Sequence, residues 1–412
     1  MQNFYVTTKD IWSGEWSDPI FFDFRGIDPS IFFDEDDRAY IQGSWRDGTL
    51  KETVCTIKQF EVDIATGASL SEPKELWKGF AGKKDAEGPH IYKKDGYYYL
   101  ITAEAGTFEH HMICAARSTS LWGPYESYEK NPILTAFGTD GIVQNTGHGD
   151  LFQDESGAWW LTCLGVRNDG GRYPLGRETF LTAVSWPKDG WPAIDLPTLE
   201  FQRNQVAPES SGGSEFPQLK GRARVDDVYI RDPQLEDYAF SSDSRTISIT
   251  PRVPTLSVQR GTTSFVGKRQ RGLNSTATVT LQLQDRKDQT TKAGLALYKE
   301  DCRHVEIYYD YSTCEVGFHK EHKILRMDVL TQKALSPPSP RSVAFRIRAT
   351  GHKYDFDFRG GDEQDWTLLG SVDAKEMTGC DFSGPILGIF ASTIETETTS
   401  PVIFEDFDIQ PN

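Results

Sequence analysis

The alternation of apolar and polar residues along the chain follows one design three times. In the stretch from Glu87 to Glu104, His90-Ile91-Tyr92 leads into Asp95-Gly96, and the run Tyr97 to Thr102 after it is aromatic and β-branched. Asp-Gly is a two-residue hairpin turn, so this stretch predicts two antiparallel strands with Glu87 on a loop at the mouth of the first. Gly26-Ile27-Asp28-Pro29-Ser30-Ile31-Phe32-Phe33 followed by Arg38-Ala39-Tyr40-Ile41 has the same form. So does Thr146-Gly147-His148-Gly149-Asp150-Leu151-Phe152 followed by Gly157 to Thr162. Each unit starts on a polar residue, runs through an apolar strand and an acidic or glycine turn, and returns in an aromatic strand. A repeat of roughly 60 residues built from short strands predicts the blades of a β-propeller, with one face made of strand entrances.

Around the repeats the pattern changes. Asn3 to Thr8 reads as a strand and Trp12 to Ile20 as an aromatic loop, so the first residues already lie inside a blade. Trp186-Pro187-Lys188-Asp189-Gly190-Trp191-Pro192 closes the repeats with turn residues, and Val206 to Leu219, rich in Pro, Ser and Gly, reads as a linker. From Asp226 onward polar and β-branched residues alternate, as in Thr276 to Leu283 and Val305 to Tyr309. Half-buried strands of a sandwich are the expectation there. The predicted organisation is a propeller over 1–205, a linker over 206–222 and a β-sandwich over 223–412.

Composition supports an all-β chain of 412 residues and limits its partners. Aromatic residues make up 12%, with 36 Gly and 21 Pro, which suits short strands and tight turns, and no long segment carries a 3.6-residue apolar period. The formal net charge of −17 repels nucleic acid and anionic membranes, so neither is an expected partner. No apolar run reaches the length of a membrane span, and the N-terminus lacks a basic segment followed by an apolar one. As written, the chain is expected to be cytoplasmic, or secreted if an export signal lies upstream. Cys55, Cys114, Cys163, Cys302, Cys314 and Cys380 lack CxxC spacing. They are expected to be buried thiols rather than a zinc site, with a Cys302–Cys314 bridge across a hairpin as the alternative.

Candidate chemistry gathers at the predicted strand entrances. Glu87 precedes a Gly-Pro that fixes the backbone and a His and a Tyr able to hydrogen-bond a polar ligand, which makes it a candidate general acid. Asp28 occupies a similar mouth, where an Asp-Pro also caps a turn. His111, Phe108 and Trp45 are candidates to line a pocket at these entrances, although aromatic strand residues also build cores.

The segments GIDPSIFFDEDDRAYI, EGPHIYKKDGYYYLITAEAGT, ARSTSLWGPYE, NPIL, TGHGDLFQDESGAWWLTCLGVR and LGRETFLTAVSWPKDGWP resemble glycoside hydrolase family 43. The likeness is to its two-domain β-xylosidase and α-L-arabinofuranosidase group and runs to the C-terminus. It implies a five-bladed propeller enzyme that inverts the anomeric centre, followed by a concanavalin-like β-sandwich, to which Phe265 to Gln270, Ala293 to Tyr298 and Gly384 to Phe390 are similar. An inverting enzyme needs a protonated carboxyl for the leaving oxygen and an ionised one to activate water, about 6.5–9.5 Å apart.

By this resemblance Glu87 is the general acid and Asp28 the carboxylate that tunes its pKa and orients it. His148 is the axial histidine, which in some members ligates a central cation, and Arg177 reaches the pocket to pair with a carboxylate or a sugar hydroxyl. The family's opening blade, with the Asp that serves as general base, has no counterpart here, so the propeller is expected to be incomplete and no general base is identified. The resemblance requires no cofactor, and calcium at His148 is its one metal alternative. Two functions are open: a hydrolase of plant cell-wall pentosides (β-1,4-xylosides, α-L-arabinofuranosides or both), and a non-catalytic sugar-binding remnant of such an enzyme. The expected partner is a xylo- or arabino-oligosaccharide.

Overall fold

Each predicted hairpin forms and gains two further strands. The protein was analysed as a computed structural model, which describes residues 2–11, 14–48, 53–83, 85–200, 226–243, 245–283, 290–335, 340–361, 363–379, 382–394 and 400–411. The predicted linker, 206–222, lies outside them, as do Trp12 and Cys380. The chain divides into two compact units, Met1–Arg167 with Arg177–Lys220, and Asn168–Gly176 with Gly221–Asn412.

In the first unit, β1 (Asn3–Tyr5) pairs with β2 (Ile20–Phe22). Three antiparallel four-stranded meanders follow in sequence order. The first is β3 (Gly26–Phe33), β4 (Ala39–Gly48), β5 (Thr53–Val62) and β6 (Lys74–Trp77). The second is β7 (Glu87–Lys94), β8 (Tyr97–Glu104), β9 (Met112–Ser118) and β10 (Glu126–Ser127). The third is β11 (Val143–Gln153), β12 (Trp159–Arg167), β13 (Glu178–Ser185) and β14 (Ala193–Ile194). These are the blades that the repeat predicts. Asp95 and Gly96 turn β7 into β8 with φ of 51° and 81°, the left-handed pair that a tight hairpin turn requires.

Period-2 alternation explains how the blades stack. On β8, Tyr99 and Ile101 point into a core shared with Leu151, Leu161, Phe180 and Trp186 of the third blade. Leu100, facing the other way, joins Tyr40, Ile57 and Leu76 of the first. A strand buried on both faces reads as a continuous apolar run, and Tyr97 to Thr102 is one.

The first strands of the blades share a defect in their ladders. Pairing slips between Ile27 and Ser30 on β3, between Glu87 and His90 on β7, and between Gly147 and Asp150 on β11. At each slip one residue is left-handed: Asp28 at φ 51°, Gly88 at 53° and His148 at 48°. They recur every 60 positions, at 28, 88 and 148. A bulge of this kind frees one residue from pairing and redirects the side chains around it. The strands also hold one another there, since Ser30 Oγ donates to the Pro89 carbonyl and Gly88 N donates to Asp28 Oδ2 at 3.2 Å. Glu87 therefore lies within β7, paired with Ala103, and not on a loop before it. The bulge behind it lets the ladder resume at His90.

The second unit is a sandwich of two seven-stranded sheets. One runs in spatial order Val228–Tyr229, Ser264–Arg269, Ile386–Ser392, Lys292–Glu300, Arg303–Asp310, Glu315–His322 and Met327–Ala334. The other runs Tyr238–Phe240, Thr246–Ile249, Val402–Pro411, Ser275–Gln282, Ser342–Ala349, Lys353–Gly360 and Thr367–Asp373. Alternate residues such as Leu295, Ile307, Phe345, Phe356 and Phe404 fill the core between them. Cys302 and Cys314 are free thiols. They flank opposite ends of the strand Arg303–Asp310, which spans roughly 25 Å, so the alternative bridge between them does not form. Cys114 and Cys163 are buried as expected, whereas Cys314 is exposed.

Gly88 has no room for a side chain: a Cβ there would lie 2.8 Å from His148 Nε2. Gly96, also at positive φ, has nothing within 4 Å of the same position. Gly96→Ala is expected to cost about 1–2 kcal/mol from the left-handed backbone alone. Gly88→Ala adds a clash worth a further ~1–3 kcal/mol, and paired melting curves of the two variants check the difference.

Candidate active site

The three bulges bring Asp28, Glu87 and His148 together. Their ligand atoms all lie within 4.8 Å of one another, although the residues come from three different blades. The 60-residue repeat makes Asp28, Gly88 and His148 the equivalent positions, so Glu87 sits one residue ahead of the position Asp28 occupies. That offset has a physical reason. The second blade carries glycine where the others carry a side chain, and the space left is filled by the His148 imidazole. The acid enters from the neighbouring position.

Electrostatics separates the two carboxyls. Glu87 is pushed up to about 7, first by burial and then by the charges of Asp28 and Asp85, with Arg177 and Arg46 opposing. Burial and a like charge both disfavour the ionised form, so Glu87 holds a proton near neutral pH. Asp28 Oδ2 is meanwhile fixed by the Gly88 amide. Arg177 Nη1 donates to Thr107 Oγ1 at 3.1 Å, and burial lowers the Arg177 pKa while Glu87 and Asp28 raise it. Asp85 accepts from the Ala105 amide at 3.2 Å, which holds its charge behind Glu87.

The remaining candidates lie in the same unit. His111 is 1% exposed, with Nδ1 3.1 Å from the Asn145 carbonyl, and a Cβ on Gly147 would come 2.3 Å from its ring. It backs the third bulge, and burial pulls its pKa down to about 4, so its ring is neutral. Trp45 pairs with Gly26 at the mouth of the first blade, donates to Asp47 Oδ1 at 3.1 Å, packs edge-on to Phe24 and carries the Lys58 ammonium 4.8 Å over its ring. Phe108 is on the loop after β8 and is 45% exposed. Sequence reasoning missed Gly88, Asp85 and Thr107. Only Gly88 carried a signal, as one of three residues at a fixed interval.

Asp28, Glu87 and His148 are also donors a cation would accept. A cation bound to Glu87 would keep it ionised and remove the proton an acid must deliver. The donor set thus fits either an ion or a protonated Glu87. A surface concavity of about 470 Å³ between Gln2–Asn3, Phe21–Phe24 and Thr66–Ser69 contains none of the three groups.

Comparison with known proteins matches residues 1–192 to the model of glycosyl hydrolases family 43 and residues 226–410 to that of the beta xylosidase C-terminal concanavalin A-like domain. A non-reducing end alpha-L-arabinofuranosidase of Bacteroides ovatus is 30% identical over 427 residues, covering 99% of this chain and 76% of that protein. A xylosidase/arabinosidase of Butyrivibrio fibrisolvens is 34% identical over 329 residues, 74% of this chain and 61% of its own length. The crystal structure of a xylan beta-1,4-xylosidase from Bacillus halodurans superposes with a TM-score of 0.80 at 26% identity, covering 99% of this chain and 81% of that one. With both halves matched and a relative aligned across 99% of this chain, the chain belongs to glycosyl hydrolases family 43.

Proposed function

We propose that the chain hydrolyses terminal pentosides, β-xylosides or α-L-arabinofuranosides, with Glu87 as the general acid. The observation that carries this reading is a carboxyl held protonated to about pH 7 at a bulged strand entrance, less than 4.8 Å from a second carboxylate. An acid with its pKa near the working pH both holds and gives up its proton efficiently. The names of the relatives, an arabinofuranosidase and a xylosidase/arabinosidase, support hydrolysis over a binding-only role and supply the substrate class.

Asp28 serves as a positioning residue in this proposal. It stands closer to Glu87 than the about 6.5–9.5 Å of an inverting acid and base, so it is not assigned as the water-activating base. Its charge raises the acid's pKa and its carboxylate is anchored to the Gly88 amide. Arg177 balances the two carboxyls and presents a forked donor to a sugar hydroxyl. His148 forms the floor against Gly88. The proton chemistry uses no cofactor.

The water-activating base is left unassigned. Glu104 is excluded, since its carboxylate is 1% exposed and already accepts from Trp77 Nε1 and from the Phe80 and Ala81 amides. Asp23 is exposed between Phe22 and Phe24 and has no contact with Glu87 that would favour it.

Three outcomes follow. Glu87→Gln is expected to lower release of pentose from xylobiose or an arabino-oligosaccharide by about 10²–10⁴-fold, with a smaller loss on aryl pentosides, whose leaving groups need little protonation. Parallel product assays measure this. If the 412-residue chain releases sugar and the variant does not, the proposal stands; equal rates on the natural substrates would remove Glu87 from the role.

In the pH profile, activity is expected to fall as pH rises through about 7, where Glu87 ionises. Asp28→Asn takes away the like charge, so its basic limb moves to lower pH and its turnover at neutral pH drops.

Stability carries the third signature. The folded pKa of Glu87 is above the unfolded value of 4.5, so over that window the unfolded chain releases a proton that the native one keeps. Stability therefore falls as pH rises between the two. Glu87→Gln should melt like the parent at pH 4 and above it at pH 8, which calorimetry at both values tests.

A further inference from the structure

A second cluster of metal-binding groups lies in the sandwich, far along the sequence from the propeller entrances, and nothing in the hydrolytic reading uses it. It grows from two copies of one short pattern, His304-Val305-Glu306 and His319-Lys320-Glu321. On a strand, residues two apart point the same way. Val305 and Ile307 face the core between the sheets, as do Val316 and Phe318 on the neighbouring strand, so His304, Glu306, His319 and Glu321 share the opposite face. The antiparallel register sets His304 against Glu321 and Glu306 against His319. Asp328, on the strand after, is set against Glu321.

The resulting square is tight. His304 Nε2 is 3.5 Å from Glu306 Oε1 and 3.9 Å from Glu321 Oε2, and His319 Nδ1 is 3.7 Å from Glu306 Oε2. The ligand atoms of His304, Glu306 and His319 lie within 4.8 Å of one another. Zinc bonds of about 2.0–2.1 Å in a tetrahedron place ligand atoms about 3.4 Å apart, close to the two shorter distances. Ser257 Oγ donates to Glu321 Oε2 at 2.5 Å and lies 3.4 Å from His304 Nε2. Its proton is committed to Glu321, so the hydroxyl does not donate to Nε2. Lys323 Nζ pairs with Glu321 Oε1 at 3.2 Å, which ties Glu321 down as a neighbour rather than a first ligand.

His319 is also oriented from behind. His319 Nε2 is 2.9 Å from Asp328 Oδ1, so the ring is held between two carboxylates, with Nδ1 toward the cluster. A carboxylate on the far nitrogen of a ligating histidine fixes the ring and raises its basicity, and metal sites use this arrangement repeatedly. His304 is wholly buried while the His319 side chain is 23% exposed, so an ion has a way in.

We propose that the sandwich holds one zinc ion on His304 Nε2, His319 Nδ1 and a Glu306 carboxylate oxygen, with Asp328 orienting His319 and a water in the fourth position. Two imidazoles and one carboxylate favour zinc over calcium or magnesium, which prefer oxygen. The ion ties the strands Arg303–Asp310 and Glu315–His322 together beside the edge strand, where the sheet has fewest neighbours. Its role is structural.

The test uses the full chain, stripped by chelator and dialysed against low-micromolar zinc, with metal content and melting temperature as readouts. About one zinc per chain and a zinc-dependent rise in melting temperature are expected. His319→Gln and Glu306→Gln should each weaken retention by at least about tenfold, and Asp328→Asn, whose side chain is 80% exposed and whose loss leaves folding intact, by roughly 10–100-fold. Glu87→Gln should retain zinc like the parent, which separates this site from the propeller cluster. A parent chain that retains no zinc overturns the proposal. So does zinc that stays in His319→Gln and Asp328→Asn but leaves in Glu87→Gln.

Discussion

Everything at the candidate site depends on one backbone constraint, the left-handed residue placed in the first strand of each blade. A regular strand sends its side chains alternately to the two neighbouring blades, and both directions are occupied by core. Only an interruption of the pleat can aim a side chain along the strand entrance. The interruption is costly for any residue but glycine, on the order of 1–3 kcal/mol, yet two of the three positions are Asp28 and His148. The cost persists because neighbours overdetermine the geometry: the Gly88 amide holds Asp28 and the empty space over Gly88 receives His148. The one glycine makes room for His148 and bonds Asp28 through its amide.

Bringing the blades together creates the electrostatic problem that gives the site its chemistry. Two carboxyls within 4.8 Å repel by on the order of 3 kcal/mol at an effective dielectric near 20. One of them keeps its proton. Glu87 is the one that does, because burial adds to the repulsion and Asp85 contributes a third negative charge. Arg177 and Arg46 act against this.

The architecture was legible in the sequence because it rests on local rules. Asp95-Gly96 specifies its turn, the run Tyr97 to Thr102 declares a strand covered on both sides, and the alternation after Asp226 declares a sandwich. The candidate site was legible in its residues but not in its geometry. Asp28 and Glu87 looked like equivalent positions, whereas the bulges make Gly88 the true equivalent of Asp28. A slip of one residue cannot be read from a single strand, since it is a property of pairing. His111 lies buried behind Gly147, a placement that also comes from pairing and not from its own segment.

The His-x-Glu pairs of the sandwich show where such reading stops. Each pair alone reads as an ordinary strand segment, and fifteen positions separate His304 from His319. Their meaning comes from register, which places each histidine opposite a glutamate of the other copy. A shift of one residue would turn all four groups into the core between the sheets, where unpaired charges are prohibitive. The same alternation that fills the core with Val305, Ile307, Val316 and Phe318 therefore obliges the charged residues to meet on the other face. In both units the pleat decides where polar side chains converge: at the blades because it is broken, and on the sandwich because it is kept.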